Sequence, residues 1–309
     1  MRPNFLIIGA QKCGTSSLYA LFKQHPQIGM ARLKETHFFC TDENWQRGWE
    51  WYESLFAHCA GKKAVGEATP LYSRIGTHPR SVERIAGHLP DVRILYIVRH
   101  PLERMESAWL MYVHMYRIRE TFCEFVQQSP GAVDASLYWK QISAYRTCFP
   151  DERILVLFLE DLKRDARGVL RRCFQFLEVD PDVQVSDPER PRNARAAKAT
   201  ESEALVRFRR TAAYRLAKAL TPAGLYESVK RKLYPRLHHR LPDPVWTEVT
   251  RRWAIEQVIE DSLQFLRFYG KPIDFWDFRP IPPATRIPAE YAAAAALESS
   301  GLVQPPSGR

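Results

Sequence analysis

Residues 5–17 read FLIIGAQKCGTSS, and their order decides the fold class. Phe5 to Ile8 is an unbroken apolar run closed by Gly9, the pattern of a short strand buried on both faces. From Thr15 the apolar residues fall at Leu18, Leu21 and Phe22, the i, i+3, i+4 spacing of one helix face. The unit is therefore strand, Gly-containing loop, helix. Backbone N–H groups of such a loop converge on a concavity, and the positive end of the helix dipole adds to it, so the loop suits an anion. Lys12 supplies a formal charge, and Thr15 and Ser16 supply hydroxyl donors. The stretch is not the G-x-x-x-x-G-K-[ST] loop, because its lysine precedes the second glycine and threonine stands where that lysine belongs. A plain strand–helix turn capped at Thr15 accounts for the same residues.

The pattern repeats outward from this unit. Val92 to Val98 (VRILYIV) is a second buried strand, and Pro101 opens the following helix, a position that proline tolerates well. Met105, Trp109, Tyr112 and Tyr116 form that helix's apolar face. Ile154 to Leu159 (ILVLFL) is a third strand, leading into a long amphipathic helix striped by Leu162, Ala166, Val169, Leu170, Cys173, Phe174 and Leu177. A short strand is expected over 63–66 and a helix over 245–269. Strands alternating with helices predict an α/β fold with a mainly parallel sheet flanked by helices. Residues 180–200 read as a loop, 201–240 as a basic helical segment, and the Pro/Ala-rich stretch 279–309 as a poorly ordered tail.

Composition narrows the function. The chain has 309 residues, 45% hydrophobic and 26% charged, which excludes wholesale disorder and fibrous architectures. A net charge of +10 points to anionic partners. Six cysteines without a C-x-x-C pair fit free thiols in a reducing compartment better than a disulfide scaffold or metal module. No apolar run approaches the roughly 20 residues of a membrane-spanning helix, and a soluble cytoplasmic protein is expected.

Two further constellations carry chemistry. Arg99 leaves the carboxyl end of the second strand, where α/β sheets bind ligands, and its planar fork suits a phosphate; Ser107 adds a hydroxyl on the following helix. A capping arginine and a surface serine would look the same. Lys34-Glu35-Thr36-His37-Phe38-Phe39 places a carboxylate beside an aromatic cluster, and Glu35 has the chemistry of a general base. His37 would share the face of Glu35 in a strand and reads as a packing or acceptor-contact residue. Trp45, Trp49 and Trp51 are candidates for stacking on a sugar or an aromatic acceptor.

The motifs FLIIGAQKCGTSSLYALFKQHPQI (5–28), KETHFF (34–39), GEATPLY (66–72), ILYIVRHPLERMESAW (94–109) and SLYWKQISAYRTCFPDERILVLFLEDL (136–162), with a final helix followed by Gly270 and Trp276, run in one order. In that order the chain resembles sulfotransferases that use 3′-phosphoadenosine 5′-phosphosulfate, in the branch related to heparan sulfate sulfotransferases and their bacterial relatives. The resemblance implies a P-loop-like three-layer fold over residues 1–278, with 201–240 as an insertion. It implies that Lys12, Cys13, Gly14, Thr15, Ser16 and Ser17 grip the 5′-phosphosulfate and that Arg99 and Ser107 hold the 3′-phosphate. Glu35 falls at the catalytic base and Lys12 at the lysine that steadies the transferring group. Lys34, His37 and the stretch Glu67 to Tyr72 fall among acceptor-cleft positions. A late cofactor loop is implied within 190–200, where Arg192, Asn193, Arg195 and Lys198 are candidates. Ala68 departs from the pattern, replacing a lysine often found in heparan sulfate enzymes; the disulfide hairpin and N-terminal anchor of Golgi members are not evident either.

Sulfuryl transfer to a hydroxyl or amine is thus expected, with a glycan or other small metabolite as acceptor. The donor is already activated, so its chemistry demands no metal. A kinase or NTPase with a variant phosphate loop is the alternative enzyme. A nucleic-acid-binding protein exploiting the basic 201–240 stretch is the alternative of another class, although no nucleic-acid motif is present. A partner-binding protein that kept the fold but lost catalysis is a third; intact Lys12 and Glu35 weigh against it.

Overall fold

Strands buried on both faces arrange the protein in three layers. The computed structural model describes residues 1–188, 199–201, 211 and 238–279. Strands β1 (Phe5–Gly9), β2 (Ile28–Met30), β3 (Ala64–Ala68), β4 (Arg93–Val98) and β5 (Ile154–Phe158) form one sheet in the order β2-β3-β1-β4-β5. Every neighbouring pair is parallel. Leu6, Ile8, Ile94, Tyr96, Val98 and Phe158 face one apolar cluster. Phe5, Ile7, Leu95, Ile97 and Leu157 face the other. Both faces of a parallel sheet must be covered, and each such buried side chain contributes about 1.5–3 kcal/mol before entropy is counted.

The helices are α1 (Thr15–Phe22), α2 (Asp42–Trp45), α3 (Gly48–Ser54), α4 (Arg80–His88), α5 (Pro101–Tyr116), α6 (Phe122–Gln128), α7 (Pro130–Asp134), α8 (Tyr138–Arg146), α9 (Leu159–Arg164), α10 (Ala166–Phe176) and α11 (Glu248–Phe268). Helices α1 and α10 cover one face of the sheet. The other is covered by α4, α8 and the end of α11, through Val82, Ile85, Tyr138, Ile142, Phe265 and Leu266. A third cluster joins α5, α6 and the start of α11, through Met105, Trp109, Phe122, Phe125, Ala254 and Val258. No helix among the described residues is long and apolar enough to cross a membrane.

Several elements differ from the sequence reading. Strand β2 was not expected. The helix expected from Leu162 to Leu177 is two helices, broken where the Asp165 side chain accepts the Gly168 amide and caps α10. Tyr116 is 64% exposed, so α5 outruns its core and Tyr116 is not part of its buried face. The last helix begins at Glu248 because the Thr247 side chain accepts the Thr250 amide as its cap. In backbone terms β6 (Ala199–Glu201) pairs antiparallel with β7 (His238–Arg240). The rest of the basic segment, Arg192, Asn193, Arg195 and Lys198, and the tail beyond Arg279 lie outside the described residues.

One consequence of this topology dominates. The stretches 10–14, 31–41, 69–72, 99–100 and 159–160 each leave the carboxyl end of a different parallel strand. The 10–14 loop follows the central strand, between β3 and β4. Open α/β sheets bind ligands at this edge.

Candidate active site

The loop after β1 is built around Gly14. Its φ of 100° is left-handed, and a Cβ placed there would lie 2.9 Å from Leu159 Cδ1, so only glycine fits without displacing a neighbour. Gly14, not Thr15, is the N-cap of α1, and no side chain caps that end. Thr15 is the first helical residue and is 4% exposed. The first amides of a helix have no carbonyl one turn upstream, so this uncapped end keeps its affinity for an anion. Lys12 stands in the loop with φ 73° and is half-buried. Cys13 turns inward: its amide donates to Ala10 O at 3.1 Å and its Sγ lies 3.6 Å from Tyr138 Oη. Burial pushes its thiol up to about 11. Cys13 therefore shapes the loop and is not a donor to a ligand there. Ser16 and Ser17 are half-buried, and the Ser17 amide closes the first turn on Gly14 O at 2.9 Å.

Arg99 sits between β4 and α5. Its guanidinium is largely covered and ion-pairs with Glu103 one helical turn on. Its Nε is buried without a hydrogen-bond partner. Burial alone would lower its basicity, but the Glu103 carboxylate outweighs that and holds it raised. Ser107 is half-buried on α5, one helical turn beyond Glu103. The neighbouring His100 amide donates to Glu160 Oε1 at 2.7 Å, and His100 Nε2 lies 2.9 Å from Asp277 O.

Residues 31–41 follow β2 as a loop, not as the strand that the Glu35/His37 alternation assumed. The loop runs beside β3: the Ala31 amide donates to Gly66 O at 2.8 Å and the Ala68 amide to Lys34 O at 3.3 Å. Glu35 is half-buried, with its side chain 41% accessible. Its Oε1 accepts the Lys34 ammonium at 2.5 Å, and its Oε2 lies 3.8 Å from His37 Nε2. His37 has φ 53°, and this turn brings it back to Glu35. Burial lowers its pKa below 6.5, against the opposing pull of Glu35, so the imidazole is neutral at pH 7. Ala68, where the related pattern carries a lysine, is buried at the end of β3.

Glu67 is not at a surface that an acceptor can touch. It is 0% exposed. Its Oε1 accepts Thr36 Oγ1 at 2.7 Å, Tyr52 Oη at 2.9 Å and Tyr72 Oη at 2.7 Å, and its Oε2 accepts Thr69 Oγ1 at 2.5 Å. Burial raises its pKa, and the four hydroxyls pull the other way. The tryptophans are also spoken for. Trp45, Trp49 and Trp51 pack on the aromatic cluster around Phe38, and each lies under a guanidinium, Arg84 at 4.9 Å, Arg2 at 4.5 Å and Arg47 at 3.8 Å. They stiffen this side of the sheet and are not open stacking platforms. Sequence reasoning missed Thr36, Thr69 and Tyr72 as polar partners, though all three stand inside the quoted motifs. It also missed Glu103, which meets Arg99 across the start of α5.

A model of the sulfotransferase domain family matches residues 2–208. The chain belongs to the sulfotransferase domain family. It is 28% identical over 193 residues to heparan sulfate glucosamine 3-O-sulfotransferase 5 of Homo sapiens, covering 59% of this chain and 55% of that protein. It is 29% identical over 184 residues to the 3-O-sulfotransferase 3B1 of Mus musculus, covering 57% of this chain and 46% of that protein. The chain thus spans about half the length of these curated relatives. Among solved structures, a sulfotransferase from Alicyclobacillus acidocaldarius superposes with a TM-score of 0.55 at 32% identity, over 62% of this chain and 87% of that one. The sulfotransferase match includes the loop after β1, Glu35 and Arg99 together.

Proposed function

We propose that this chain transfers the sulfuryl group of 3′-phosphoadenosine 5′-phosphosulfate to a hydroxyl of a glycan. The observation that carries the reading is the shared edge: the uncapped α1 loop after β1, Arg99 after β4 and the accessible side chain of Glu35 after β2 leave parallel strands of one sheet on one side. Family membership supports sulfuryl transfer over the kinase and nucleic-acid alternatives. The names of the curated relatives support a glucosamine-containing saccharide as acceptor. Six free cysteines, four of them buried, support a reducing, cytoplasmic setting.

In this reading the α1 amides and Lys12 hold the 5′-phosphosulfate, and Arg99 and Ser107 hold the 3′-phosphate. Arg99 already has one N–H without a partner to offer. Glu35, as carboxylate, takes the proton of the acceptor hydroxyl. The hydroxyl oxygen bonds to sulfur as the bond from sulfur to the phosphate oxygen breaks. The products are the sulfate ester and 3′-phosphoadenosine 5′-phosphate. Lys12 and the loop amides stabilise charge on the transferring group and the leaving phosphate. Neutral His37 beside Glu35 adds no competing positive charge.

The test is transfer of radiolabelled sulfate from the donor to heparan-type oligosaccharides, with and without Glu35→Gln. Transfer by the wild type, lowered roughly 10²–10⁴-fold by the substitution with donor-product affinity kept, is expected for loss of a general base. Near-normal turnover by Glu35→Gln would overturn the assignment of the base.

A further inference from the structure

We propose that Glu67 is a positioning residue for the active-site loop: through three hydroxyls it sets the path of residues 36–39, and with it the placement of Glu35 and His37. The bonding pattern carries this. The amides of Thr36 and His37 donate to Thr69 Oγ1 at 3.0 and 3.4 Å. The Phe38 amide donates to Thr36 Oγ1 at 3.2 Å, and the Phe39 amide to Tyr72 Oη at 3.5 Å. Four successive backbone donors thus end on three hydroxyls. Each of those hydroxyls is in turn bonded to the Glu67 carboxylate, at 2.5 to 2.7 Å. Thr36 Oγ1 and Tyr72 Oη also lie 2.9 Å apart, and both donate to Glu67 Oε1, so the hydroxyls and the carboxylate form one network.

Residues 36–39 lie beyond the backbone bonds that tie Ala31 and Lys34 to β3, and their amides must be satisfied by other partners. Glu67 anchors that satisfaction from β3, the strand beside the phosphate-loop strand, where Glu67 pairs in register with Leu6. One buried carboxylate therefore couples the base-bearing loop to the sheet that presents the donor. The left-handed turn at His37, which returns its ring to Glu35, is held inside this network. Beyond it, the Thr41 amide and hydroxyl both donate to His37 O at 3.2 Å.

The consequence for chemistry rests on Glu35 acting as the base proposed above; the structural part does not. Two measurements separate them. The first is backbone amide hydrogen exchange on the full chain. Thr69→Val is expected to expose the amides of 36 and 37, Thr36→Val that of 38, and Tyr72→Phe that of 39, with protection in β1 and β4 unchanged. Glu67→Gln is expected to expose all four; the three milder variants carry the test if it fails to fold. Unchanged protection at these amides would overturn the proposal whatever Glu35 does.

The second is turnover with a heparan-type oligosaccharide and calorimetric binding of 3′-phosphoadenosine 5′-phosphate. Thr36→Val is expected to lower kcat tenfold or more, since small misplacement of a reacting group is costly, with donor-product Kd within twofold. Thr36→Ser, which keeps the hydroxyl, is expected to restore kcat. In a Glu35→Gln background Thr36→Val should cost less than twofold, because the group it positions is gone. An equal cost in both backgrounds, or a parallel loss of donor-product affinity, would show a merely structural role and overturn the positioning of Glu35. Lost protection combined with an active Glu35→Gln would sink the base assignment and leave the positioning of the loop standing.

Discussion

Three carboxylates near the sheet edge differ only in surroundings, and those surroundings divide their roles. Glu35 is half-buried between a lysine and a histidine, Glu67 is sealed among hydroxyls, and Glu103 holds Arg99. The Glu103 pair competes with any phosphate that Arg99 is to bind. Glu103→Gln is therefore expected to tighten 3′-phosphoadenosine 5′-phosphate several-fold, by titration calorimetry at fixed salt; weaker binding would mean that Glu103 orients the guanidinium instead. His37 carries a pH prediction. Its native pKa lies below 6.5, so between that value and 6.5 the unfolded chain binds a proton that the native one does not, and stability from this group rises with pH across the window. A histidine-ring NMR titration should place its midpoint below 6.5, and a midpoint above would refute the burial. That Lys12 and Arg99 follow buried strands was legible in the sequence, whereas Glu35 stood out only by its motif, since the strand before it was not foreseen. Glu67 was misread as a cleft residue because its partners at 36, 52, 69 and 72 are set by packing of separate elements, which no local pattern encodes.

The elements show the same division. Strands β1, β4 and β5 and helices α1 and α5 followed from apolar runs and helical spacing. Strand β2 did not, because three residues with a central glycine make no periodic signal. The start of α8 is instructive. Its N-cap, Leu137, offers no side-chain bond, and the missing cap comes from α11: Asp261 accepts the Trp139 amide at 2.9 Å and the Lys140 amide at 2.8 Å. That partner is 122 residues away from Trp139, so the cap could not be read locally. Burial raises the Asp261 pKa from 3.8 to about 6, against those two bonds. Between these values the native chain holds a proton that the unfolded chain has released, so this group's contribution falls as pH rises from about 4 to 6. Asp261→Asn should remove that downward slope from denaturant-melting data taken across the window. Asp261→Ala should cost about 0.5–2 kcal/mol, the usual loss of a cap.

At the scale of the whole molecule, the polypeptide after α11 closes the core that its first half opens. Trp276 is 2% exposed and stacks on Phe265 with ring centroids 6.1 Å apart. The next residue gives its carbonyl to His100, beside Arg99. Trp276→Ala is expected to cost about 3–5 kcal/mol in denaturant unfolding, as for a large core aromatic, and to weaken donor-product binding through His100. Stability loss with no change in binding would separate the core from the site. The central claim is that this sheet edge is built for a nucleotide carrying a 3′-phosphate. Calorimetry of 3′-phosphoadenosine 5′-phosphate against ADP, without magnesium, on wild type and Arg99→Ala, tests it most directly. Micromolar binding of the first, binding of ADP at least tenfold weaker, and loss of that difference in the variant are predicted. Equal binding of the two ligands, or ADP binding that appears only with magnesium, would contradict the account.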